Sequence, residues 1–556
     1  TSTAREEYEY QWTWTNTLNY AKTFNEVHNV SAYVGVESIQ QFEERFGASR
    51  QRFAFNTPNI LSYLDLGNAT TAGNYGFVNQ DYTLWSQFGK IDYNYDGKYL
   101  AGVTLRNDSS SRFQSAARSA LFPAFSLGWR MSDENFLKDV SWINDLKIRY
   151  GWGTTGNQQI GDYNAFTTFR SDIGTGGYPI DGNTGSPTIG FSTRAFGNPN
   201  AKWETTTSNN FGLDLVMFDN KVNFNLDVWD RVTTDMLFQV PVTFTAGQAD
   251  EPRFNVGGVT NKGIDLNLGF SDKKGDFSYG INANLSQYTN NVDQLSESAD
   301  TRFFGGSRRV PALTVTQAGS PISSFYGFKT EGIFQSQAEA DAWPTYGDYN
   351  APGKLKVADI NNDGVINDDD RTIIGNPHPD FTYGINLDFS YKNLALNIFG
   401  NGSQGNDIYN YVRYFADFNT FQGNRSRRAL YNAWQPSNPT APVSQWVAAN
   451  PNATVPIMDA NDQISSRPSS YFIEDGSFFR IKNVQLTYNF TDEVLSSIGG
   501  ISRASIYIQG QNLATFTNYT GLNPEVQTGN NTNLGYDGGF LPVSRTFLMG
   551  LNITLN

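Results

Sequence analysis

FTYGINLDFSYKNLALNI (381–398) reads with a period of two. Phe381, Tyr383, Ile385, Leu387, Phe389 and Tyr391 take alternate positions, with Thr382, Gly384, Asn386, Asp388 and Ser390 between them. After a break at Lys392-Asn393 the alternation resumes with Leu394, Leu396 and Ile398. Successive side chains of a strand point to opposite faces, so each half predicts a strand with one apolar and one wet face. The two-residue break between them predicts a hairpin.

Working outward, the same figure recurs. Phe211, Leu213, Leu215 and Met217 lead into Asp219-Asn220, and Val222, Phe224, Leu226 and Val228 follow against Asn223, Asn225 and Asp227. Ile264, Leu266, Leu268 and Phe270 precede DKKGD, and then Phe277, Tyr279, Ile281, Ala283 and Leu285 oppose Ser278, Gly280, Asn282, Asn284 and Ser286. Ile91, Tyr93 and Tyr95 meet Tyr99, Ala101, Val103 and Leu105 through Asp96-Gly97, a strong hairpin signal. The turns are short, whereas the stretches between hairpins are long and rich in Gly, Asn and Ser. The longest runs from about Gly402 to Ser477. Short turns on one side and long loops on the other are the layout of an outer-membrane barrel. Tyr93, Tyr95, Phe389, Tyr391, Tyr488 and Phe490 sit near strand ends, where interfacial girdles belong.

The composition agrees. Among 556 residues, 11 Trp, 29 Tyr and 41 Phe are aromatic, while charged residues make only 17%. The chain has no Cys, which excludes disulfides, thiolate metal sites and Cys nucleophiles. His28 and His378 stand far apart, against a His-based metal centre or a Ser-His-Asp triad. A net charge of −14 and pI near 4.7 argue against a nucleic-acid partner. No apolar run is long enough for a transmembrane helix. The start, TSTAREEYEYQWTW, lacks the features of a signal peptide and opens directly into alternation, as if partway through a sheet.

A soluble β-sandwich also alternates. Its outward face would carry charge, whereas the polar partners here are mostly Asn, Ser, Gly, Thr and Asp, which suit a water-filled lumen. The apolar faces named above contain no Arg or Lys, each of which would cost roughly 2–4 kcal/mol at mid-membrane. The fold class expected is therefore all-β, a transmembrane antiparallel barrel of roughly 16 strands with long extracellular loops and short periplasmic turns.

Several segments resemble the SusC/RagA family of TonB-dependent outer-membrane transporters of Bacteroidetes. They include FGKIDYNYDGKYLAGVTLRNDSSSRF (88–113), LFPAFSLGWRMSDENF (121–136), LKIRYGWGTTGNQQIGDYNAF (146–166), NPNAKWETTTSNNFGLDL (198–215) and NVGGVTNKGIDLNLGF (255–270). SPISSFYGFKTEGIFQS (320–336), NAWQPSNPTAP (432–442), FFRIKNVQLTYNF (478–490) and IYIQGQNLATFTNYTGLNPEV (506–526) continue it in the family's order. The family's barrel has about 22 strands around an N-terminal plug. By that resemblance residues 1–556 are the C-terminal part of such a barrel, and plug, TonB box and signal peptide have no counterpart in them. The final strand (Phe547, Met549, Leu551, Ile553, Leu555) looks like the one that barrel-assembly machinery recognises, although the chain ends in Asn556 rather than an aromatic.

The resemblance implies TonB-dependent import of an oligosaccharide or peptide at the outer membrane of a Gram-negative, Bacteroidetes-type bacterium. It implies a SusD-like surface lipoprotein as partner, and TonB acting through the missing plug. It implies no enzyme. The alternatives are a calcium-stabilised adhesin or glycan-binding β-protein, a siderophore receptor, and an outer-membrane barrel enzyme. The last would need an inward Ser/His or Asp/His constellation.

DINNDGVINDDD (359–370) has the donor spacing of an EF-hand or dockerin-like loop. Asp359, Asn361, Asp363, Val365 (through its carbonyl), Asn367 and Asp370 are the candidate ligands, with Gly364 at the sharp turn. Hard oxygen donors at that spacing suit a structural Ca²⁺; an acidic turn without metal is the plainer reading. The acidic pairs Glu43-Glu44 and Asp368 to Asp370 suggest no catalysis beyond what a low pI explains. GGSRR (305–309) and NRSRRA (424–429) are expected as solvated loop faces or lipopolysaccharide contacts. Trp343, Tyr346, Tyr349, Trp434 and Trp446 could stack on a ligand, with loop packing the preferred expectation.

Overall fold

The structure is a computed structural model. It describes residues 1–555 except 56, 172, 181, 186, 241–246, 248, 251, 297–300, 307, 308, 311, 419–422 and 527–530. Asn556, and Ser307 and Arg308 of the first basic run, thus lie outside the described residues.

Among the described residues fifteen strands make the main sheet, and their order across it is their order along the chain. They are β1 (Ser2–Phe24), β2 (His28–Gln51), β3 (Asn68–Tyr95), β4 (Tyr99–Ser110), β5 (Ser119–Arg130), β6 (Ile143–Asn157), β7 (Glu204–Met217) and β8 (Val222–Thr234). β9 (Gly258–Lys274), β10 (Phe277–Gln294), β11 (Phe381–Tyr391), β12 (Leu394–Gln404), β13 (Phe478–Asn489), β14 (Ile501–Thr517) and β15 (Thr546–Leu555) complete it. No described helix is long and apolar enough to cross a membrane. Two compact units divide the chain: Thr1–Glu134, Lys147–Phe211 and Arg231–Gly258 in the first, and Asn135–Leu146, Gly212–Asp230 and Val259–Asn556 in the second.

In the first unit β1 to β5 pair as an antiparallel meander, β1 with β2 from Ser2↔Arg50 to Phe24↔His28. Asp96 and Gly97, at φ 53° and 72°, close the β3–β4 hairpin. Positive φ at both central residues matches the strand twist, which is why Asp-Gly occurs there. Register then lines up His28, Tyr95, Tyr99 and Trp129 beside the short turns, and Tyr95 stacks on Tyr99 at 6.2 Å. A small core of Phe113, Phe122, Ile160, Ala201 and Trp203 gathers mostly in the connections.

In the second unit β10 to β15 pair antiparallel in sequence order. Tyr391 pairs with both Phe277 and Leu394, and Leu394 with Tyr488, so aromatics again line the turn side. The long connections carry structure of their own. Arg302–Gly305, Thr314–Gln317, Ser324–Phe328 and Arg371–Gly375 form a four-stranded sheet between β10 and β11. Asp407–Asn410, Ile473–Asp475 and Tyr536–Asp537 form a three-stranded one.

Burial separates a membrane wall from a soluble sandwich. A sandwich buries the apolar face of each strand against a second sheet. Here that face is the open one: Phe211, Ile264, Leu268, Ile281, Leu486 and Ile508 are exposed, and Phe547 and Met549 reach 75% and 76%. The buried clusters lie almost entirely off the main sheet, such as Leu313, Phe325, Tyr409, Phe418 and Phe472 in the loops. Such a surface is stable when lipid covers it.

Candidate functional site

The polar face of β11 to β14 is a connected hydrogen-bond ladder. Asn397 Nδ2 donates to Asn386 Oδ1 at 2.9 Å and to Asp388 Oδ1 at 2.7 Å. Asn483 Nδ2 donates to Asn397 Oδ1 at 3.3 Å, and Gln509 Nε2 to Asn483 Oδ1 at 2.5 Å. Elsewhere in the second unit Asn225 donates to Asp214 at 3.0 Å, and Trp229 Nε1 and Ser286 both bond Asp265, at 2.8 and 2.5 Å. In the first unit Arg106 projects from the polar side of β4 and binds Asp108 (2.8 Å), Ser86 (2.8 Å) and Glu37 (3.2 Å). The charges named on these strands are therefore held by hydrogen bonds, Asp265 and Asp388 by neutral donors and Arg106 by two carboxylates.

The loops of the second unit are tied by buried polar contacts. Asp417, 2% exposed, is the hub of one cluster. Arg428 pairs with it, Ser426 Oγ donates to it at 2.8 Å and Tyr471 Oη at 2.9 Å. Arg413 sits 2.8 Å from Glu474 and donates to the Tyr471 carbonyl at 2.9 Å. Burial pushes the Tyr471 phenol far up, with the Asp417 carboxylate in the same direction, so it stays a donor. Within the run 424–429, Arg428 is therefore tied to the loop rather than left wholly to solvent. Its guanidinium pairs with Asp417 and donates to the Thr454 carbonyl at 2.9 Å while staying about a quarter exposed, and Arg427 beside it is open to solvent.

A second tie links two of the segments that carried the family resemblance. Arg480, at the start of β13 and 2% exposed, donates to Thr515 Oγ1 at 2.7 Å and Asn523 Oδ1 at 2.8 Å, and pairs with Glu525. Lys482 holds the same Glu525 at 2.8 Å. The GLNPEV strap (521–526) is thus fastened to the wall by one buried guanidinium.

The loop aromatics serve packing. Trp434 is 1% exposed, with Nε1 on Gln335 Oε1 at 3.2 Å. Trp343 Nε1 donates to the Val357 carbonyl at 2.7 Å and Trp446 Nε1 to the Ala441 carbonyl at 2.8 Å. Tyr346 and Tyr349 join a core with Phe328, Val357 and Ile366, and Tyr349 Oη is 2.7 Å from Ser465 Oγ. Burial raises the Tyr349 phenol well beyond its ordinary range, with Asp462 adding to it.

The two histidines are separately bound. His28 Nδ1 lies 2.8 Å from Tyr93 Oη, and His378 places Nε2 2.9 Å from the Ile322 carbonyl and Nδ1 3.2 Å from Tyr288 Oη. Burial lowers the His378 pKa against the opposing pull of that carbonyl. Neither touches a nucleophile–carboxylate pair. Glu43 is buried beside Arg45, which also reaches Glu7 at 3.2 Å.

The 359–370 loop is closed by its own hydrogen bonds. Asp359 accepts from the Asn362 and Gly364 amides at 2.7 and 2.8 Å, and Asn361 Oδ1 from the Asp363 amide at 3.0 Å. Asp363 accepts from Val365 N at 2.8 Å, and Asn367 Oδ1 from Asp369 N at 2.7 Å. Asp370, fully buried, accepts from Ile360 N and Asn367 N, both at 2.8 Å. Among the described residues no three His, Cys, Asp or Glu side chains converge as a metal group. Spacing foretold the turn and Gly364, at φ 86°; it did not foretell that the Asp370 oxygens point to backbone amides.

The sequence model of the family described as TonB dependent receptor-like, beta-barrel, matches residues 1–403. TonB-dependent receptor P3 of Formosa agariphila is 33% identical over 548 residues, covering 97% of this chain and 52% of the relative. TonB-dependent receptor SusC of Bacteroides thetaiotaomicron is 29% identical over 491 residues, covering 85% and 44%. A solved structure of the RagAB peptide transporter superposes with a TM-score of 0.80 at 25% identity, covering 99% of this chain and 56% of that one. The chain spans about half the length of the curated relatives it matches.

Proposed function

This chain belongs to the TonB-dependent receptor β-barrel family of the outer membrane, and from that premise we propose that it forms the wall and extracellular loops of an importer for a large nutrient, an oligosaccharide or a peptide. A SusD-like surface lipoprotein works with it, and TonB supplies energy through a plug in the full-length protein. The observation that carries this reading is the pairing of an exposed apolar face with a polar face laced by amide and hydroxyl hydrogen bonds. Lipid takes the first, and a hydrated cargo slides past the second without a deep trap. The relatives named SusC and RagAB support the choice of cargo and partner.

The test is purification of the tagged full-length protein from its own membrane in detergent. A surface lipoprotein is expected to accompany it in equal amount, and deletion of the gene should abolish growth on one oligosaccharide or peptide. Extraction into buffer without detergent, or growth that needs only iron supplementation, overturns the reading.

Calcium at 359–370 is proposed as a structural ion, supported by the spacing of hard oxygen donors. Binding requires Asp370 to exchange its amide partners for the ion. Calorimetry on the full-length protein showing no binding below millimolar Ca²⁺ sinks it.

A further inference from the structure

Within the second unit a cavity of about 1250 Å³ opens among the turns around 346–354, 366–368 and 457–467, with Val443 and Trp446 on its side. Four carboxylates reach it, Asp348, Asp368, Asp459 and Asp462, against two cations, Lys354 and Arg467. Both cations are already held. Lys354 Nζ lies 2.6 Å from Asp459 and 3.1 Å from Asp462. Arg467 donates to Asp368 at 2.5 Å and to Tyr346 Oη at 2.6 Å. Asp348 stands exposed and makes no ion pair among the described residues. The cavity therefore keeps an excess of negative charge and has no cation left for an anionic guest.

Its apolar wall narrows the choice further. An open aromatic face would favour a sugar ring by stacking on its apolar side. Tyr346 and Tyr349 are spent in the core beneath, and half-buried Trp446, tilted against Trp434 at 6.3 Å, is the one lining aromatic left partly open among the described residues. What the wall presents instead is aliphatic: Val443, Ile457, Met458 and Ile464. Methionine adapts to side chains of differing shape. The volume exceeds the roughly 300–1,000 Å³ of a small-molecule pocket, so it admits more than one side chain.

We propose that this cavity binds a peptide segment carrying basic and aliphatic side chains. Ammonium or guanidinium groups meet Asp348 and the outer oxygens of Asp459, and aliphatic groups lie against Met458 and Ile464. The proposal rests on the import reading for its role: the bound peptide is cargo held among the loops before passage.

The test uses the full-length protein in detergent and a dye-labelled peptide of alternating Lys and Leu, read by fluorescence anisotropy against detergent alone. Saturable binding is expected. It should weaken strongly in about 1 M salt, where the Debye length falls to about 3 Å. Neither a matching peptide of alternating Glu and Leu nor maltoheptaose should compete. Asp348→Asn should weaken binding about threefold to fivefold, the effect of one partly exposed charge. Met458→Asp should weaken the aliphatic contacts severalfold, with the heat-modifiable gel shift retained as the check on folding. Competition by maltoheptaose, indifference to salt, or unchanged affinity in both variants overturns the proposal. Growth on an oligosaccharide without peptide binding removes this proposal and leaves the import reading standing. Peptide binding without an accompanying lipoprotein does the reverse.

Discussion

Replacing Arg480 by Met should release the strap at 521–526 while leaving the wall intact. The guanidinium is buried and spends its donors on Thr515, Asn523 and Glu525. Removing one partner of a buried ion pair typically costs about 3–5 kcal/mol, because the survivor is stranded. Here Glu525 keeps Lys482 at 2.8 Å and is partly exposed, so the lower end applies, about 3 kcal/mol. That is about a hundredfold rise in the population of the detached strap. The β13–β14 ladder, with Arg480↔Thr515 and Phe479↔Phe516, is made by backbone and does not need the side chain. Hydrogen exchange read by mass spectrometry should therefore show amides of 521–526 exchanging about a hundredfold faster, with β13 amides and the heat-modifiable gel shift unchanged. Adding Glu525→Gln should cost far less than the sum of the two single changes, because both disrupt one contact. Unchanged exchange in the strap, or loss of the whole barrel, would refute the argument that Arg480 is a local fastener.

The lipid face makes a paired prediction. Ile281→Arg, on the exposed apolar side of β10 opposite Leu387, should cost about 2–4 kcal/mol on refolding into vesicles, and Asn282→Arg much less. Equal costs would mean that the faces are assigned backwards. Trp434→Ala should cost about 3–5 kcal/mol of loop stability, seen as protease cleavage between 405 and 477 with the strands still resistant. Acid should loosen the cavity first. Burial works to raise the Asp459 pKa, but Lys354 and the Asn461 amide outweigh it and leave it below the carboxylate range. A depressed folded pKa gives stability that is present above the unfolded value and lost as pH falls through the folded one. Tryptophan fluorescence around 446 should therefore change below about pH 4, and Lys354→Met should remove that transition.

The wall was legible because its information is local and repeated. The alternation in 381–398 set which side faces lipid, and Asp96-Gly97 and Asp219-Asn220 marked turns whose φ angles are positive as those residues allow. The loops were legible only in extent. Lys354 meets Asp459 across 105 residues, Tyr349 meets Ser465 across 116, and Trp434 meets Gln335 across 99. No periodicity encodes such pairs. For the same reason the ion pair of Arg428 was not legible: its partner Asp417 lies eleven residues upstream, outside the basic run. The calcium motif shows another limit, since spacing specifies which oxygens a loop has and leaves open where they point.

A wall whose strands neighbour one another in chain order also separates two evolutionary tasks. Each hairpin fixes its register through a turn of a few residues, and the far ends of adjacent strands are already side by side. Lengthening the connection between them costs only about 0.6 kcal/mol per doubling, and the insertion can carry its own small sheet, as the 295–380 segment does. Loops can then be exchanged, enlarged or recharged one at a time without renegotiating the part that lipid must accept. The loops can diverge in this way while the wall is inherited unchanged.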